Sequence, residues 1–256
     1  MNRLTTLLNN KTSDILSIYV TAGYPDYDSS LAIVQALDKA PVDFIELGMP
    51  FSDPLADGPT IQETSKMALA KGMDFKAYFK LAESINSTTN LPMVFMGYYN
   101  QVLKIGVENF CQKCQSVGID GVIIPDLPLD EYLDLYEEMF AKYEITISFL
   151  VTPNTSEARI KKLGSNSSSF VYVVSDNTIT GSSLEKSEKL NSYLVKTKEL
   201  VAPTPSIVGF GIHDKGSYRN ACEHVNGAII GTAFLKSIEL DNPVESCIKF
   251  INQIKS

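Results

Sequence analysis

Two carboxylates between residues 44 and 59 are the side chains best suited to acid–base chemistry in this sequence. Glu46 lies in the apolar segment Phe-Ile-Glu-Leu-Gly, and Asp57 follows on a loop rich in glycine and proline. An unpaired carboxylate is costly to bury, and desolvation raises its pKa toward the range useful for proton transfer near neutral pH. Two carboxylates in one pocket can handle two different protons. The alternatives are a salt-bridged strand residue at Glu46 and an ordinary turn residue at Asp57.

Glycines near the C-terminus predict a phosphate-binding site. Gly209 and Gly211 follow one apolar run, and Gly231 and Thr232 follow the next, with a short helix predicted to start at Thr232. Bare backbone amides at strand ends and helix starts can bind phosphate. The pattern fits many enzymes with phosphorylated substrates, and the alternative is that these glycines only relieve crowding.

A small, polar stretch from residue 175 to residue 183 is poor in helix-forming residues. Its length and composition suit a lid that closes over a substrate, although an inert connector is the alternative.

Short apolar runs that alternate with amphipathic segments must position these residues. The predicted strands are 15–21, 44–48, 93–96, 121–125, 146–151, 170–174, 206–209 and 228–231. The clearest predicted helices are 29–39, 129–142, 184–200 and 244–254. Eight strand–helix alternations predict an α/β fold, a single (β/α)8 TIM barrel over residues 1–256 with a short extra N-terminal helix. The alternative, an open doubly wound sheet, typically has a G-x-G-x-x-G turn after its first strand, and this sequence has none.

Composition narrows the class of protein. The net charge of −8 argues against a nucleic-acid-binding surface. There is no apolar run long enough to span a membrane and no signal-peptide pattern, so we expect a cytoplasmic enzyme. The pair Cys111 and Cys114 lies inside a helical pattern without a second pair at metal-ligand spacing, so we expect an ordinary reduced pair and no metal. His213 and His224 are expected at the surface or at helix ends, and contact of His213 with the rim of the pocket, close after Gly211, is the alternative.

The segment from Glu46 to Gln62, Glu-Leu-Gly-Met-Pro-Phe-Ser-Asp-Pro-Leu-Ala-Asp-Gly-Pro-Thr-Ile-Gln, resembles the most characteristic segment of the tryptophan synthase α subunit family. Other motifs occur along the chain, before and after this segment, in the family's order, and together they cover nearly the whole chain. They are Tyr-Val-Thr-Ala-Gly-Tyr-Pro, Gly-Tyr-Tyr-Asn, Pro-Asp-Leu-Pro, Thr-Gly, Gly-Phe-Gly and Gly-Thr-Ala.

The resemblance implies a lyase of tryptophan biosynthesis that cleaves indole-3-glycerol phosphate to indole and glyceraldehyde 3-phosphate in a retro-aldol reaction. Glu46 would be the general acid–base at indole C3 and the glycerol hydroxyl, and Asp57 would stabilise positive charge at the indole nitrogen. The substrate-binding residues that it implies are Tyr19, Ile61, Tyr172, Thr180, Gly181, Gly209, Phe210, Gly211, Gly231 and Thr232. Of these, Tyr19, Ile61, Tyr172 and Phe210 would line the indole slot; plain barrel core is the alternative for the three aromatic residues.

The same resemblance implies a partner and places the cofactor there. This chain would need no cofactor, because pyridoxal phosphate belongs to the β subunit of an αββα heterotetramer. The β subunit would dock on the loops that carry Asp53, Pro54, Asp126 and Pro128, and allosteric coupling would run through loop closure, with Thr180 reaching toward Asp57.

Several positions depart from the family pattern. Thr232 replaces the usual Ser, Tyr19 replaces a common Phe, and Thr178 and Ile179 replace a frequent Gly-Val, a change that would stiffen the lid. A regulatory α subunit that mainly activates β is the alternative function, although both carboxylates are intact. Another phosphate-binding barrel, such as an isomerase, is disfavoured because the first and fifth strands end without the Asp or Cys expected there.

Overall fold

Apolar, β-branched segments form a parallel sheet in the computed structural model, which describes residues 2–175 and 183–256. The strands are β1 (Ile15–Thr21), β2 (Phe44–Gly48), β3 (Met93–Met96), β4 (Ile119–Ile123), β5 (Thr146–Ile147), β6 (Leu150–Val151), β7 (Val171–Val174), β8 (Ser206–Gly209) and β9 (Gly227–Ile230). Nearly every strand residue is buried, because helices cover the outer face and side chains fill the inner face.

The strand order closes the sheet into a barrel. The order is β5-β4-β3-β2-β1-β9-β8-β7-β6, and all pairs are parallel. The two edges, β5 and β6, are separated along the chain only by Ser148 and Phe149. Ser148 N donates to Val122 O of β4 (3.0 Å), and Phe149 O accepts from Tyr172 N of β7 (2.9 Å). Residues 146–151 therefore act as one interrupted strand, and the (β/α)8 prediction is confirmed.

Helices surround the barrel. They are α1 (Arg3–Asn10), α2 (Tyr27–Leu37), α3 (Pro59–Ala70), α4 (Phe75–Thr88), α5 (Tyr99–Ile105), α6 (Val107–Ser116), α7 (Leu129–Leu135), α8 (Glu137–Lys142), α9 (Glu157–Asn166), α10 (Ser183–Val201), α11 (Lys215–His224), α12 (Thr232–Ser237) and α13 (Pro243–Lys255). Side-chain caps fix several of the starts. At α2, for example, the Asp26 carboxylate accepts from Ser29 N (2.9 Å). Within the described residues, none of the helices combines the length and apolarity needed to span a bilayer.

Some predicted boundaries were wrong. The fourth strand runs over Ile119–Ile123 rather than 121–125, and a proline such as Pro125 has no N–H to donate to a ladder. The helix predicted over 129–142 is two helices separated at Tyr136.

The barrel interior is filled in layers, and its amino end is plugged. Leu4 and Leu8 of α1, the predicted extra helix, pack against inward-facing residues such as Ile15, Phe44 and Phe170. The alternation of side chains along a strand puts every second residue inside, so Glu46 lies on the same face as Phe44 and one layer higher. Because the amino end is plugged, the interior of the barrel is open to a ligand only from its carboxyl end. Cys111 and Cys114 are buried in the outer core, and neither forms a disulfide bond.

Candidate active site

Glu46 is a buried carboxyl at the carboxyl end of β2. Its neighbours across the sheet are Tyr19 in β1 and Val94 in β3. The residue is 1% exposed, and its Oε1 atom has no hydrogen-bond partner among the described residues. Burial raises the pKa of Glu46 from 4.5 to about 8. At neutral pH Glu46 is therefore a protonated acid that can exchange a proton with a ligand, and its Oε1 atom makes no hydrogen bond to the described residues.

Asp57 reaches the same cavity from the loop between β2 and α3. Its pKa is raised by burial, and a hydrogen bond with the Tyr98 side chain opposes that rise. The Tyr98 hydroxyl also accepts from Ala56 N (3.0 Å), and Gln101 Nε2 donates to Pro50 O (3.0 Å). Residues at the start of α5 therefore hold the loop that carries Asp57.

A cavity of about 320 Å³ opens between these two carboxyls and the loops after β8 and β9. Nine of the residues predicted from the sequence line it together: Tyr19, Glu46, Asp57, Ile61, Tyr172, Phe210, Gly211, Gly231 and Thr232. Part of the wall is aromatic, since the rings of Tyr172 and Phe210 meet edge to face with centroids 6.3 Å apart. Gly211 and Gly231 also line the cavity.

Two tyrosines in the barrel depend on glycines in the neighbouring strands. The Tyr19 hydroxyl lies over Gly48, and the Tyr172 hydroxyl lies over Gly209, so a β-carbon at either glycine would overlap the phenol. Gly209 is itself buried and is not part of the cavity lining. The contact of Gly209 with the substrate stays a prediction, and the structure adds a second reason for a glycine at this position, since a β-carbon there would overlap the Tyr172 side chain.

The loop after β8 has an uncommon backbone. Phe210 has a φ of 68° and Gly211 a φ of 72°, both in the left-handed region that non-glycine residues rarely adopt. The Ser175 hydroxyl donates to Phe210 O (2.7 Å) and helps to hold this conformation. Such strain concentrates at functional sites, and here it turns the Phe210 ring toward the cavity.

The lid prediction lies outside the described residues. Thr180 and Gly181, together with Thr178 and Ile179, fall in the range 176–182, and the structure does not place them.

The cavity is also lined by six residues that were not predicted as site residues: Met96, Ile212, His213, Ile229, Ala233 and Lys236. Met96 could have been predicted from its position, because it ends β3 and the active-site residues of a barrel lie at the ends of its strands. Lys236 lies four residues after Thr232, one helical turn away on the same face. His213 was expected at the surface or at a helix end. It is exposed and belongs to the cavity lining, as in the alternative of a contact with the pocket rim, and the cap of α11 is Asp214.

The residues predicted for partner binding lie on loops at the carboxyl end of the barrel. Asp53, Asp126 and Pro128 are exposed and Pro54 is half-buried. On the same loop as Asp53, Leu55 is 90% exposed, and on α5 Leu103 is 47% exposed. Exposed leucines beside a site are typical of a surface that another protein covers. Neither leucine was predicted, because sequence patterning does not separate an exposed apolar residue from a buried one.

Comparison with known proteins agrees with this geometry. The sequence profile of the family described as "Tryptophan synthase alpha chain" matches residues 6–255. A tryptophan synthase alpha chain from Flavobacterium psychrophilum is 47% identical over 99% of this chain and 100% of its own length.

Solved structures agree as well. Tryptophan synthase subunit alpha from Campylobacter jejuni superposes with a TM-score of 0.83 and is 33% identical, covering 95% of this chain and 96% of its own. A chain of a tryptophan synthase complex from Pyrococcus furiosus superposes with a TM-score of 0.86 and is 31% identical, covering 96% and 99%. Together with the cavity that is lined by the two carboxyls and by glycines, these matches show that the chain belongs to the tryptophan synthase alpha chain family, the lyases that cleave indole-3-glycerol phosphate in tryptophan biosynthesis.

Proposed function

We propose that Glu46 is the general acid–base and Asp57 the electrostatic partner in the cleavage of indole-3-glycerol phosphate by this chain. The observation that carries the proposal is the buried, protonated Glu46 carboxyl, with a free oxygen, in one cavity with Asp57. A neutral carboxylic acid at pH 7 can donate a proton in the first step and accept one in the next.

Glu46 donates one proton and later accepts one, so it returns to its starting protonation state. The carboxylic acid protonates indole C3, which becomes tetrahedral while the ring nitrogen becomes a cationic iminium. The carboxylate then takes the proton of the glycerol hydroxyl next to C3. The C–C bond breaks, its electron pair restores the indole, and the hydroxyl carbon becomes the aldehyde of glyceraldehyde 3-phosphate.

Asp57 supplies the negative charge that this iminium needs. Its carboxyl is partly desolvated in the cavity wall, where an ion pair with the ring N–H is stronger than it would be in water. The Tyr98 hydrogen bond favours the ionised form of Asp57 and fixes its position. Burial keeps Glu46 as an acid, whereas at Asp57 the Tyr98 hydrogen bond opposes the rise in pKa that burial causes.

Substrate orientation follows from the cavity walls. The indole ring would lie between Tyr19, Ile61, Tyr172 and Phe210, which are flat or apolar. The phosphate would lie against the backbone of Gly209, Gly211, Gly231 and Thr232, with Thr180 and Gly181 from the undescribed range completing the site. We propose that residues 1–256 act as one catalytic domain, since a single sheet runs from Ile15 to Ile230.

The β subunit is proposed to dock on the carboxyl-end surface that carries Asp53, Pro54, Asp126 and Pro128, and Leu55 adds apolar area there. The complex would be the αββα heterotetramer, with pyridoxal phosphate in β only and indole passed to β for synthesis of L-tryptophan. A similar solved structure, from Pyrococcus furiosus, is a tryptophan synthase complex, which supports a partner for this chain. The four cysteines are unpaired, in keeping with a cytoplasmic enzyme.

The deciding experiment measures indole release from indole-3-glycerol phosphate, with and without a tryptophan synthase β subunit. Wild type should release indole, and the rate should rise when β is added. Glu46→Gln and Asp57→Asn should each lose about a hundredfold or more, the usual contribution of a positioned acid–base group. If wild type activates β but releases no indole, the chain is the regulatory subunit of the alternative hypothesis.

A further inference from the structure

Two adjacent tyrosines at the start of α5, Tyr98 and Tyr99, make hydrogen bonds to different parts of the chain. The Tyr98 hydroxyl accepts from Ala56 N (3.0 Å), which leaves its own hydrogen for the hydrogen bond with the Asp57 carboxyl. Tyr98 is 3% exposed. The start of α5 therefore helps to determine where the loop that carries Asp57 lies.

The Tyr99 side chain is held by α7 and by the residue that follows that helix. Its hydroxyl lies 2.5 Å from Glu131 Oε1 and 2.7 Å from the Tyr136 hydroxyl, and the centroids of the two tyrosine rings are 6.1 Å apart. A carboxylate only accepts and a phenol has one hydrogen, so Tyr99 donates to Glu131 and accepts from Tyr136. Because the pair of hydrogen bonds ends on a charged acceptor, it is stronger than a pair between neutral groups.

The backbone of Tyr99 is fixed as well. Its N–H is one of the amides at the start of α5 that have no partner within the helix, and it donates to Asp126 Oδ1 (2.8 Å). Asp126 belongs to the loop after β4, which leads into α7. Tyr99 therefore joins α5 to the loop and the helix that follow β4, while Tyr98 joins α5 to the loop that carries Asp57.

The two sets of contacts are mechanically connected, because Tyr98 and Tyr99 are neighbours in the chain. The Tyr98 ring also packs against Phe51 of the Asp57 loop, with ring centroids 5.1 Å apart. Protein interiors are close-packed, so a shift of this buried ring would be passed to the loop rather than absorbed. A catalytic group that is misplaced by about 1 Å can lose a large factor in rate, even when the cause lies outside the site.

We propose that Tyr99 is a positioning residue for the cleavage reaction, and that its hydrogen bonds to Glu131 and Tyr136 hold Tyr98 and, through it, Asp57. The inference rests on the role proposed for Asp57 and extends it to a side chain that does not belong to the cavity lining. Loss of the Tyr99 hydroxyl should lower kcat rather than raise KM, because Asp57 acts on the charge that develops during the reaction.

The test uses Tyr99→Phe, which removes the hydroxyl and keeps the ring. In the full chain, kcat for indole release should fall about three- to fivefold while KM stays within about twofold, as expected for the indirect effect of one hydrogen bond. The double variant Tyr98→Phe/Tyr99→Phe should have the kcat of Tyr98→Phe alone, because Tyr99 no longer reaches Asp57 once the Tyr98 hydroxyl is absent. Losses that multiply in the double variant would overturn the inference.

Tyr143→Phe is the matched control. The Tyr143 hydroxyl donates to Glu108 Oε1 (2.9 Å), so the variant removes the same kind of phenol–carboxylate hydrogen bond, here between α6 and the end of α8. The urea midpoint should fall in both Tyr143→Phe and Tyr99→Phe, but kcat should fall only in Tyr99→Phe. An equal loss of kcat in Tyr143→Phe would contradict the inference, because Tyr99 would then act through stability alone.

Hydrogen exchange at the Ala56 amide, followed by NMR, reports on the Tyr98 contact without catalysis. Exchange should be about three- to fivefold faster in Tyr99→Phe than in wild type, and unchanged in Tyr143→Phe. An unchanged rate in Tyr99→Phe would show that Tyr99 does not hold the loop, even if wild type cleaves the substrate. If wild type does not cleave the substrate, the proposed function fails, and the exchange rate still decides whether Tyr99 holds the loop.

Discussion

Replacing Glu46 with glutamine should make the protein more stable while it abolishes cleavage. Burial gives Glu46 a folded-state pKa of about 8 against 4.5 for an ordinary glutamate. Between these values the folded chain retains a proton that the unfolded chain has released, so the stability of wild type falls as pH rises through this window. One pKa unit corresponds to about 1.4 kcal/mol, so the loss between pH 5 and pH 8 is about 3 to 4 kcal/mol. Glutamine is neutral in the folded and the unfolded state, so the variant does not lose this stability.

The assay is urea unfolding of wild type and Glu46→Gln at pH 5 and pH 8. The two proteins should differ by less than about 1 kcal/mol at pH 5, and the variant should be more stable by about 3 kcal/mol or more at pH 8. Glu63→Gln, at an exposed glutamate of α3, is the matched control and should not differ from wild type at either pH. The reasoning is refuted if Glu46→Gln and wild type differ equally at both pH values, because Glu46 would then be ionised in the folded state. Wild-type kcat for cleavage should also fall as pH rises through about 8, since the first step needs the protonated acid.

Three further changes test the surroundings of the site. Tyr98→Phe removes the hydroxyl that holds Asp57, and kcat should fall about tenfold with little change in Tm, as expected for one hydrogen bond to a charged group; a full kcat would show that the loop is held elsewhere. Gly209→Ala should destabilise the fold by about 1–3 kcal/mol through overlap with the Tyr172 hydroxyl, and Tyr172→Phe in the same chain should recover part of that loss in urea unfolding; no recovery would place the strain in the backbone. Leu55→Asp should weaken binding of a β subunit by about tenfold in sedimentation experiments while indole release by the isolated chain stays unchanged, and normal β binding would remove this leucine from the proposed interface.

Strand positions were predictable because a parallel barrel buries both faces of each strand. Runs such as 44–48 and 206–209 match the observed strands β2 and β8 at both ends. The prediction was weaker where hydrogen bonding rather than hydrophobicity sets the boundary. The fifth strand is two short pieces, and the helix after β4 is divided at Tyr136, and neither feature changes the hydrophobic pattern.

Nine predicted site residues meet in one cavity, because the motifs that carry them follow strands that end at the same side of the barrel. Gly209 shows the limit of that reasoning. A glycine at a strand end has the same appearance in sequence whether it contacts a ligand or makes room for a neighbouring ring. The position of the Tyr172 hydroxyl over Gly209 shows the second role, and it depends on the pairing of β7 with β8.

The sequence by itself determined the (β/α)8 fold, the two candidate carboxyls and the family resemblance, since periodicity and local motifs carry that information. Tertiary structure decided which polar groups share a cavity. It buried Glu46, which raises its pKa and leaves one oxygen without a partner among the described residues, and it brought His213 and Lys236 into the lining of the same cavity. Both results depend on distances between residues remote in sequence. Desolvation and Coulomb energy are fixed only when the folded chain brings such residues together.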